Sequence, residues 1–316
     1  MSDIKISVAM TTYNGDKYLQ PLLDSLFSQT VLPNEVIIVD DCSSDNTLKI
    51  INEYKCKYPI KCFVNEQNLG VNKNFEKSVS FCSGDYILLC DQDDVWLPNN
   101  IETKINILES MPKDIPAFIG SPSILVNNNF DKIISFGTKK NTFDYLTVWF
   151  TPFQGATIAI NRQLASLLGE WPNNFKTLPY DSFIRYVGVL TGNVCGIAEP
   201  LMYYRYHENN AELKINKKLI VFKKSIVVLM MQQALLVKRI KDTKWVMERI
   251  PCSKLIESRT ILFSKIIDCV KANKISWFKF FCIKEISFSK KIYTWCGSTL
   301  RKLKNTFKSS ILSKFK

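Results

Sequence analysis

Four short apolar runs in the first hundred residues each end in a polar cluster, and helical spacing follows each cluster. Ile4, Ile6, Val8 and Met10 alternate as a strand does, and Thr11-Thr12-Tyr13-Asn14-Gly15 breaks the run. Leu19, Leu22, Leu23, Leu26 and Phe27 then fall on one helical face. Val36-Ile37-Ile38-Val39 is continuously apolar, the pattern of a strand buried on both faces of a parallel sheet. It stops at Asp40-Asp41-Cys42-Ser43-Ser44-Asp45, which is turn and N-cap chemistry ahead of a helix over 47–54. A third run, 60–64, leads through Asn68-Leu69-Gly70 to a helix carrying Phe75, Val79 and Cys82. The fourth, 86–90, enters Asp91-Gln92-Asp93-Asp94, and Pro98 is expected to start a helix with Ile101, Ile105 and Leu108 on one face. This alternation predicts an α/β fold with a doubly wound sheet and its chemistry at the carboxyl ends of the strands, where 11–14, 40–41 and 91–94 all fall.

From 117 to 206 the pattern is mixed, with a strand expected over 119–126, an Asn-rich turn at 127–129, a strand over 156–160, a helix after Asp181 and a last strand over 201–206 that delivers His207. Beyond Leu213 the chain becomes lysine-rich. Residues 214–316 hold 25 Lys/Arg against 5 Asp/Glu, whereas 1–213 hold 17 against 24, so the net charge of +13 joins an acidic half to a basic one. The most apolar stretch there, 225–237, is about thirteen residues and contains Gln232 and Gln233, short of the roughly 18–20 that a spanning helix needs. Leu300, Leu303, Phe307, Ile311 and Phe315 line one face amid Arg301, Lys302, Lys304, Lys308, Lys314 and Lys316, a basic amphipathic helix suited to an anionic membrane surface. The alternative is a helical subdomain whose lysines keep it soluble. A nucleic-acid partner is not expected, since no known binding motif appears and the front half is acidic.

Ten cysteines show no CxxC pair or zinc-like spacing, and with no secretory pattern at the start they are expected as free thiols in a reducing cytoplasm. One histidine, His207, rules out a His-rich metal site. The acidic turn suits a different metal chemistry. Asp91, Asp93 and Asp94 crowd three carboxylates after a buried strand, and hard cations such as Mg²⁺ or Mn²⁺ take one or two carboxylates plus phosphate oxygens. A cation there would neutralise a departing diphosphate. Asp40 and Asp41 are ambiguous, since a strand-end carboxylate can accept a pyrimidine N3–H or cap the next helix.

Read in order, Ser7-Val8-Ala9-Met10-Thr11-Thr12-Tyr13-Asn14, Val36 to Asp45, Asn68-Leu69-Gly70 and Cys90-Asp91-Gln92-Asp93-Asp94-Val95-Trp96 resemble the successive signatures of family 2 glycosyltransferases across 4–110. Looser likeness continues through Gln154-Gly155-Ala156-Thr157, Tyr180-Asp181 and Tyr204-Arg205-Tyr206-His207-Glu208-Asn209-Asn210, most like the bacterial rhamnosyltransferase-type members of O-antigen and capsule synthesis. The resemblance implies a GT-A fold over 1–213, with 1–110 as nucleotide-binding half and 111–213 as acceptor half, and a basic, membrane-associating 214–316. It implies inverting transfer from a UDP- or dTDP-sugar, dTDP-rhamnose preferred, to a saccharide on a polyprenyl diphosphate at the cytoplasmic face of the membrane. Donor-side residues would be Thr11, Thr12, Tyr13, Asn14, Asp40, Asp41, Asn68, Gly70, Asn74, Asp91 and Gln92. Asp91, Asp93 and His207 would serve the Mg²⁺ or Mn²⁺, Asp181 would be the general base, and Asp94, Trp96, Gln154, Gly155 and Tyr180 would face the acceptor. Tyr180 stands where the family often has His or Glu. Two other readings compete: a nucleotidyltransferase, which would show a Gly-rich basic phosphate loop that 11–15 lacks, and a membrane-docked binding protein without turnover.

Overall fold

The computed structural model describes residues 4–135, 140–151, 153–173, 178–207, 226–268, 270–271 and 274–275. The chain divides into two units, Met1–Asn210 and Ala211–Lys316. The first begins with β1 (Ile6–Thr12), α1 (Asp16–Phe27), β2 (Glu35–Asp40), α2 (Thr47–Lys55), β3 (Ile60–Val64), α3 (Val71–Phe81) and β4 (Tyr86–Asp91). Each strand ends within a residue or two of where its apolar run stops, because the run is what the sheet buries. There follow β5 (Val95–Trp96), α4 (Asn100–Glu109), β6 (Ala117–Gly120), β7 (Ile124–Val126), β8 (Lys132–Ser135) and α5 (Tyr145–Phe150). A 3₁₀ turn at Gly155–Thr157 leads into β9 (Ile158–Asn161), α6 (Arg162–Leu167), α7 (Tyr180–Thr191), β10 (Asn193–Gly196) and β11 (Met202–Arg205).

The main sheet has the order β10-β6-β9-β4-β1-β2-β3. Only β9 runs antiparallel to its neighbours, so the sheet is mixed. Chain order reverses on either side of β1, which is a topological switch point and the place where such sheets leave a crevice. Register decides what meets there: Thr11 pairs with Asp91 and Thr12 with Asp40. Behind the crevice, Val8, Met10, Val36, Ile38, Leu88 and Cys90 join the buried Leu19, Leu22, Leu23 and Leu26 of α1 in one core. Burying each such side chain stabilises by roughly 1.5–3 kcal/mol, so the strand ends sit on a stiff base.

Three boundaries differ from the sequence reading. The expected strand 119–126 is two strands in different sheets, because Pro122 between them has no N–H for a ladder. Pro98 does not open its helix; Asn100 N–H bonds the Leu97 carbonyl, and α4 starts at Asn100. Within 156–160 only Ile158 onward is strand. The second sheet, β5-β11-β7-β8, matters most for the site. In it β11 pairs with β5, directly after the acidic turn.

The second unit contains α8 (Ile226–Met247), α9 (Glu257–Ile267) and a short pair, β12 (Val270–Lys271) with β13 (Lys274–Ile275). Leu236, Ile240, Leu262, Phe263 and Ile266 are buried there. Among the described residues no helix is long and apolar enough to cross a membrane. The amphipathic stretch 300–315 lies outside the described residues. The seven described cysteines are free.

Candidate active site at the strand ends

The β2 end is held almost entirely by the chain itself. Asp40 accepts from Thr12 Oγ1 at 2.7 Å, from Ser43 Oγ at 2.6 Å and from Ser43 N at 2.8 Å. Asp41 accepts from Asn65 Nδ2 at 2.9 Å, Leu69 N at 2.8 Å and Gly70 N at 2.9 Å. Gly70 has φ +82, a backbone only glycine adopts without strain, and this turn aims its N–H at Asp41. Asn74 is buried and fully used, donating to the Val39 carbonyl and accepting from Asn65. Asn68 is exposed. Thr11 and Thr12 are buried, while Tyr13 and Asn14 are exposed at the rim. Asn14 accepts from Ser44 N at 2.8 Å.

Gln92 ties β1 to the acidic turn. Its amide accepts from Tyr13 N at 2.8 Å and donates to Tyr13 O at 3.0 Å, as a second strand would. A Cβ at residue 15 would lie 2.2 Å from Gln92 Oε1, so Gly15 leaves room for the clasp. The three carboxylates of the turn separate. Asp91, half-buried, receives the Tyr180 hydroxyl at 3.3 Å from both oxygens. Asp93 Oδ2 is 2.8 Å from His207 Nε2, and His207 is 8% exposed. Asp94 is fully buried and accepts from Arg205 N at 3.2 Å, so it anchors β11 rather than facing an acceptor. Burial first, then the neighbouring Asp93 and Asp91 charges, pushes its carboxyl well above the usual range, and Arg205 opposes this only in part. Trp96 is buried too, beneath Lys104 Nζ at 5.4 Å from its ring centroid.

On the other side stands α7. Tyr180 packs on Phe75 with centroids 4.1 Å apart, and its N–H bonds Asn72 Oδ1 at 3.0 Å. Asn72 also donates to the Pro172 and Leu178 carbonyls, fixing the start of α7 against α3. A Cβ on residue 155 would lie 1.7 Å from the Tyr180 hydroxyl, so Gly155 is where Tyr180 fits. Gln154 accepts from Ser123 Oγ. Asp181 lies in the first turn of α7, part-exposed.

Sequence reasoning assigned no role to Tyr18, Asn72, Phe130 or Arg205. Arg205 Nε donates to the Asp93 carbonyl at 3.0 Å, and its guanidinium lies 4.9 Å from the Tyr18 centroid and 4.4 Å from that of Phe130. Tyr18 also stacks on His207 at 4.5 Å. The available signal was an aromatic at the edge of the α1 face marked by Leu19, Leu22, Leu23 and Leu26. Among the described residues, no three His, Cys, Asp or Glu side chains converge as a protein-only metal cage.

The profile of the family described as Glycosyl transferase family 2 matches residues 7–165. The dTDP-rhamnosyl transferase RfbG of Shigella flexneri is 28% identical over 214 residues, covering 64% of this chain and 72% of that protein. An uncharacterized protein of Mycobacterium bovis is 35% identical over 117 residues, covering 36% of this chain. The match spans only 34% of that mycobacterial protein's length. Among solved structures, residues 1–349 of S. aureus TarS in complex with UDP give a TM-score of 0.61 at 18% identity, covering 91% of this chain and 77% of that one. That likeness is one of fold. With the family profile running from β1 into α6, the chain belongs to glycosyl transferase family 2 and has the GT-A fold.

Proposed function

We propose that the chain moves a sugar from a pyrimidine nucleoside diphosphate sugar to a hydroxyl of a lipid-linked saccharide, inverting the anomeric centre. The observation that carries this reading is the meeting of Asp91, Asp93, His207 and Tyr180 at one strand end beside the switch point. The rim formed by 11–14 and 40–41 receives the nucleotide, and the diphosphate lies toward Asp91 and Asp93. Asp93 and His207, in contact at 2.8 Å, offer an oxygen and a nitrogen donor, which suits Mg²⁺ or Mn²⁺ completed by phosphate oxygens and water rather than by a protein cage. Such an ion, when bound, supplies positive charge to the leaving diphosphate.

The chain's own residues do the rest. Asp181 takes the proton of the acceptor hydroxyl as that oxygen bonds the anomeric carbon. The bond from that carbon to the diphosphate oxygen breaks in the same displacement, and the nucleoside diphosphate leaves. Tyr180 holds Asp91 in place beside this path. A single displacement needs one carboxylate on the acceptor side, not the pair of a glycosidase.

For the donor, dTDP-rhamnose is favoured by the RfbG relative, whose name states that specificity, while TarS has been solved with UDP-GlcNAc. The excess of basic charge in 214–316 supports an anionic membrane surface, on the cytoplasmic side, as the place where a polyprenyl diphosphate acceptor is met. Incubating the full-length protein with dTDP-rhamnose, UDP-hexoses and UDP-N-acetylhexosamines, Mn²⁺ and lipid-linked acceptors tests this. Transfer from a dTDP-sugar supports the reading as stated; transfer from a UDP-sugar alone moves it to the second donor class. Failure with every donor overturns it.

A further inference from the structure

Two groups that touch Asp93, Arg205 and His207, contact one side chain that the reaction itself does not require. Tyr18 sits on α1 at the edge of the face formed by Leu19, Leu22, Leu23 and Leu26, one turn before Leu22 and part-buried, with Lys17 Nζ 5.0 Å from its ring centroid. An aromatic ring at the edge of an apolar helix face is only partly covered by its own helix. Here the cover comes from β11 and its end: the His207 ring stacks at 4.5 Å and 26°, and the Arg205 guanidinium lies 4.9 Å from the ring centroid. The Tyr18 hydroxyl reaches Asn128 Oδ1 at 3.4 Å in the β7–β8 turn. Besides the core that Met202 of β11 shares with the α1 leucines, this ring gives a direct contact between α1 and both Arg205 and His207.

The β7–β8 turn is shaped for the same assembly. Phe130 has φ +63, an unfavourable backbone for an aromatic residue. Asn127 holds it there, with Oδ1 accepting from Asn129 N and Asp131 N at 2.9 Å each. The result is a ring 4.4 Å from the Arg205 guanidinium. Arg205 in turn donates to the Asp93 carbonyl, while His207 meets the Asp93 carboxylate. Backbone and side chain of Asp93 are thus both set from one platform.

We propose that Tyr18 is a positioning residue: its ring fixes the plane of His207, and through it the direction in which His207 Nε2 and the Asp93 carboxylate face a divalent cation. This rests on the reading of Asp93 and His207 as cation donors. An imidazole whose plane is not fixed must be ordered when the ion arrives, and supporting partners of metal ligands are typically worth about 10- to 100-fold in affinity.

The test uses the full chain and Mn²⁺ alone as probe, by electron paramagnetic resonance titration with UDP or dTDP present, alongside thermal melts. Tyr18→Leu, which keeps an apolar side chain but no ring, is expected to weaken Mn²⁺ binding about 10-fold, with the melting temperature little changed. Tyr18→Phe keeps the stack and is expected to bind within about twofold of the parent. Tyr18→Leu combined with His207→Gln should be no weaker than His207→Gln alone, because one effect acts through the other. If Tyr18→Leu binds Mn²⁺ like the parent while His207→Gln does not, the proposal is overturned and the cation reading stands. Equal loss in Tyr18→Phe overturns it too, because the hydroxyl and not the ring would be responsible. If the parent itself binds no Mn²⁺ with nucleotide present, the cation reading falls and takes the proposal with it.

Discussion

Two acidic strand ends flank β1, and they are built in opposite ways. At the end of β2, Asp40 and Asp41 accept three hydrogen bonds each from the chain. At the end of β4, the partners of Asp91 and Asp93 include the side chains of Tyr180 and His207, which arrive from α7 and the end of β11. The first end spends its charge on shaping the loops 41–45 and 65–70. The second keeps half-buried carboxylates oriented by side chains from distant elements, and tolerates below them an Asp94 oxygen and a Lys104 amine with no hydrogen-bond partner among the described residues. Carboxylates at neighbouring strand ends are therefore held differently: by backbone N–H groups and adjacent strand ends at β2, and by side chains of α7 and of the segment after β11 at β4.

That division has consequences of decreasing size. Asp93→Ala should lower transfer by about 1000-fold, because it removes a donor to the cation that would neutralise the leaving diphosphate, while the melting temperature holds. Asp40→Ala should do the reverse, costing about 3 kcal/mol of stability in a denaturant titration because three donors lose a charged acceptor. If both variants lose activity with stability intact, the contrast fails. Gly155→Ala drives a methyl into the Tyr180 hydroxyl and should cost about 2 kcal/mol while also slowing turnover, since Tyr180 must leave Asp91.

Lys104 sharpens the comparison through pH. Burial pulls its amine down to about 7 from an ordinary 10.5, so between those values the unfolded chain binds a proton that the folded one does not. Stability therefore rises with pH from about 7 toward 10.5, and the full cost of burial is felt below about 7. Lys104→Met should raise stability at neutral pH and below by about 1–2 kcal/mol, with the gain fading toward pH 10 in melts across that range. The smallest effect belongs to Tyr180→Phe, which removes one long hydrogen bond to Asp91 and keeps the stack on Phe75. A loss of about fivefold in turnover, with stability unchanged, is expected from steady-state kinetics.

The contrast explains what could be read in the sequence. Strands such as 36–39 and 86–90 were legible because burial on both faces demands continuous apolar runs, and their ends marked the crevice. Adjacent aspartates were not legible individually. Asp93 and Asp94 differ by one residue, yet one meets His207 and the other lies under β11, and that outcome is set by the β5–β11 pairing more than a hundred residues apart. Asn74, expected on the donor, is spent on Val39 and Asn65, and Trp96, expected on the acceptor, is buried. Tyr18, and the role of Arg205 within the Tyr204–Asn210 motif, were not legible for the same reason: their partners are distant in sequence, and nothing local distinguishes a ring that supports His207 from one that is merely exposed. Glu208, Asn209 and Asn210 lie outside the described residues.

The central claim is that the β4 end, and not the β2 end, handles the diphosphate. Release of free nucleoside diphosphate from a nucleotide sugar, followed with Mn²⁺ in the parent, Asp93→Ala and Asp41→Asn proteins at matched folded concentration, tests it most directly. The account predicts release by the parent, near-complete loss in Asp93→Ala, and in Asp41→Asn a weaker nucleotide affinity with turnover at saturation retained. Undiminished release by folded Asp93→Ala would contradict it.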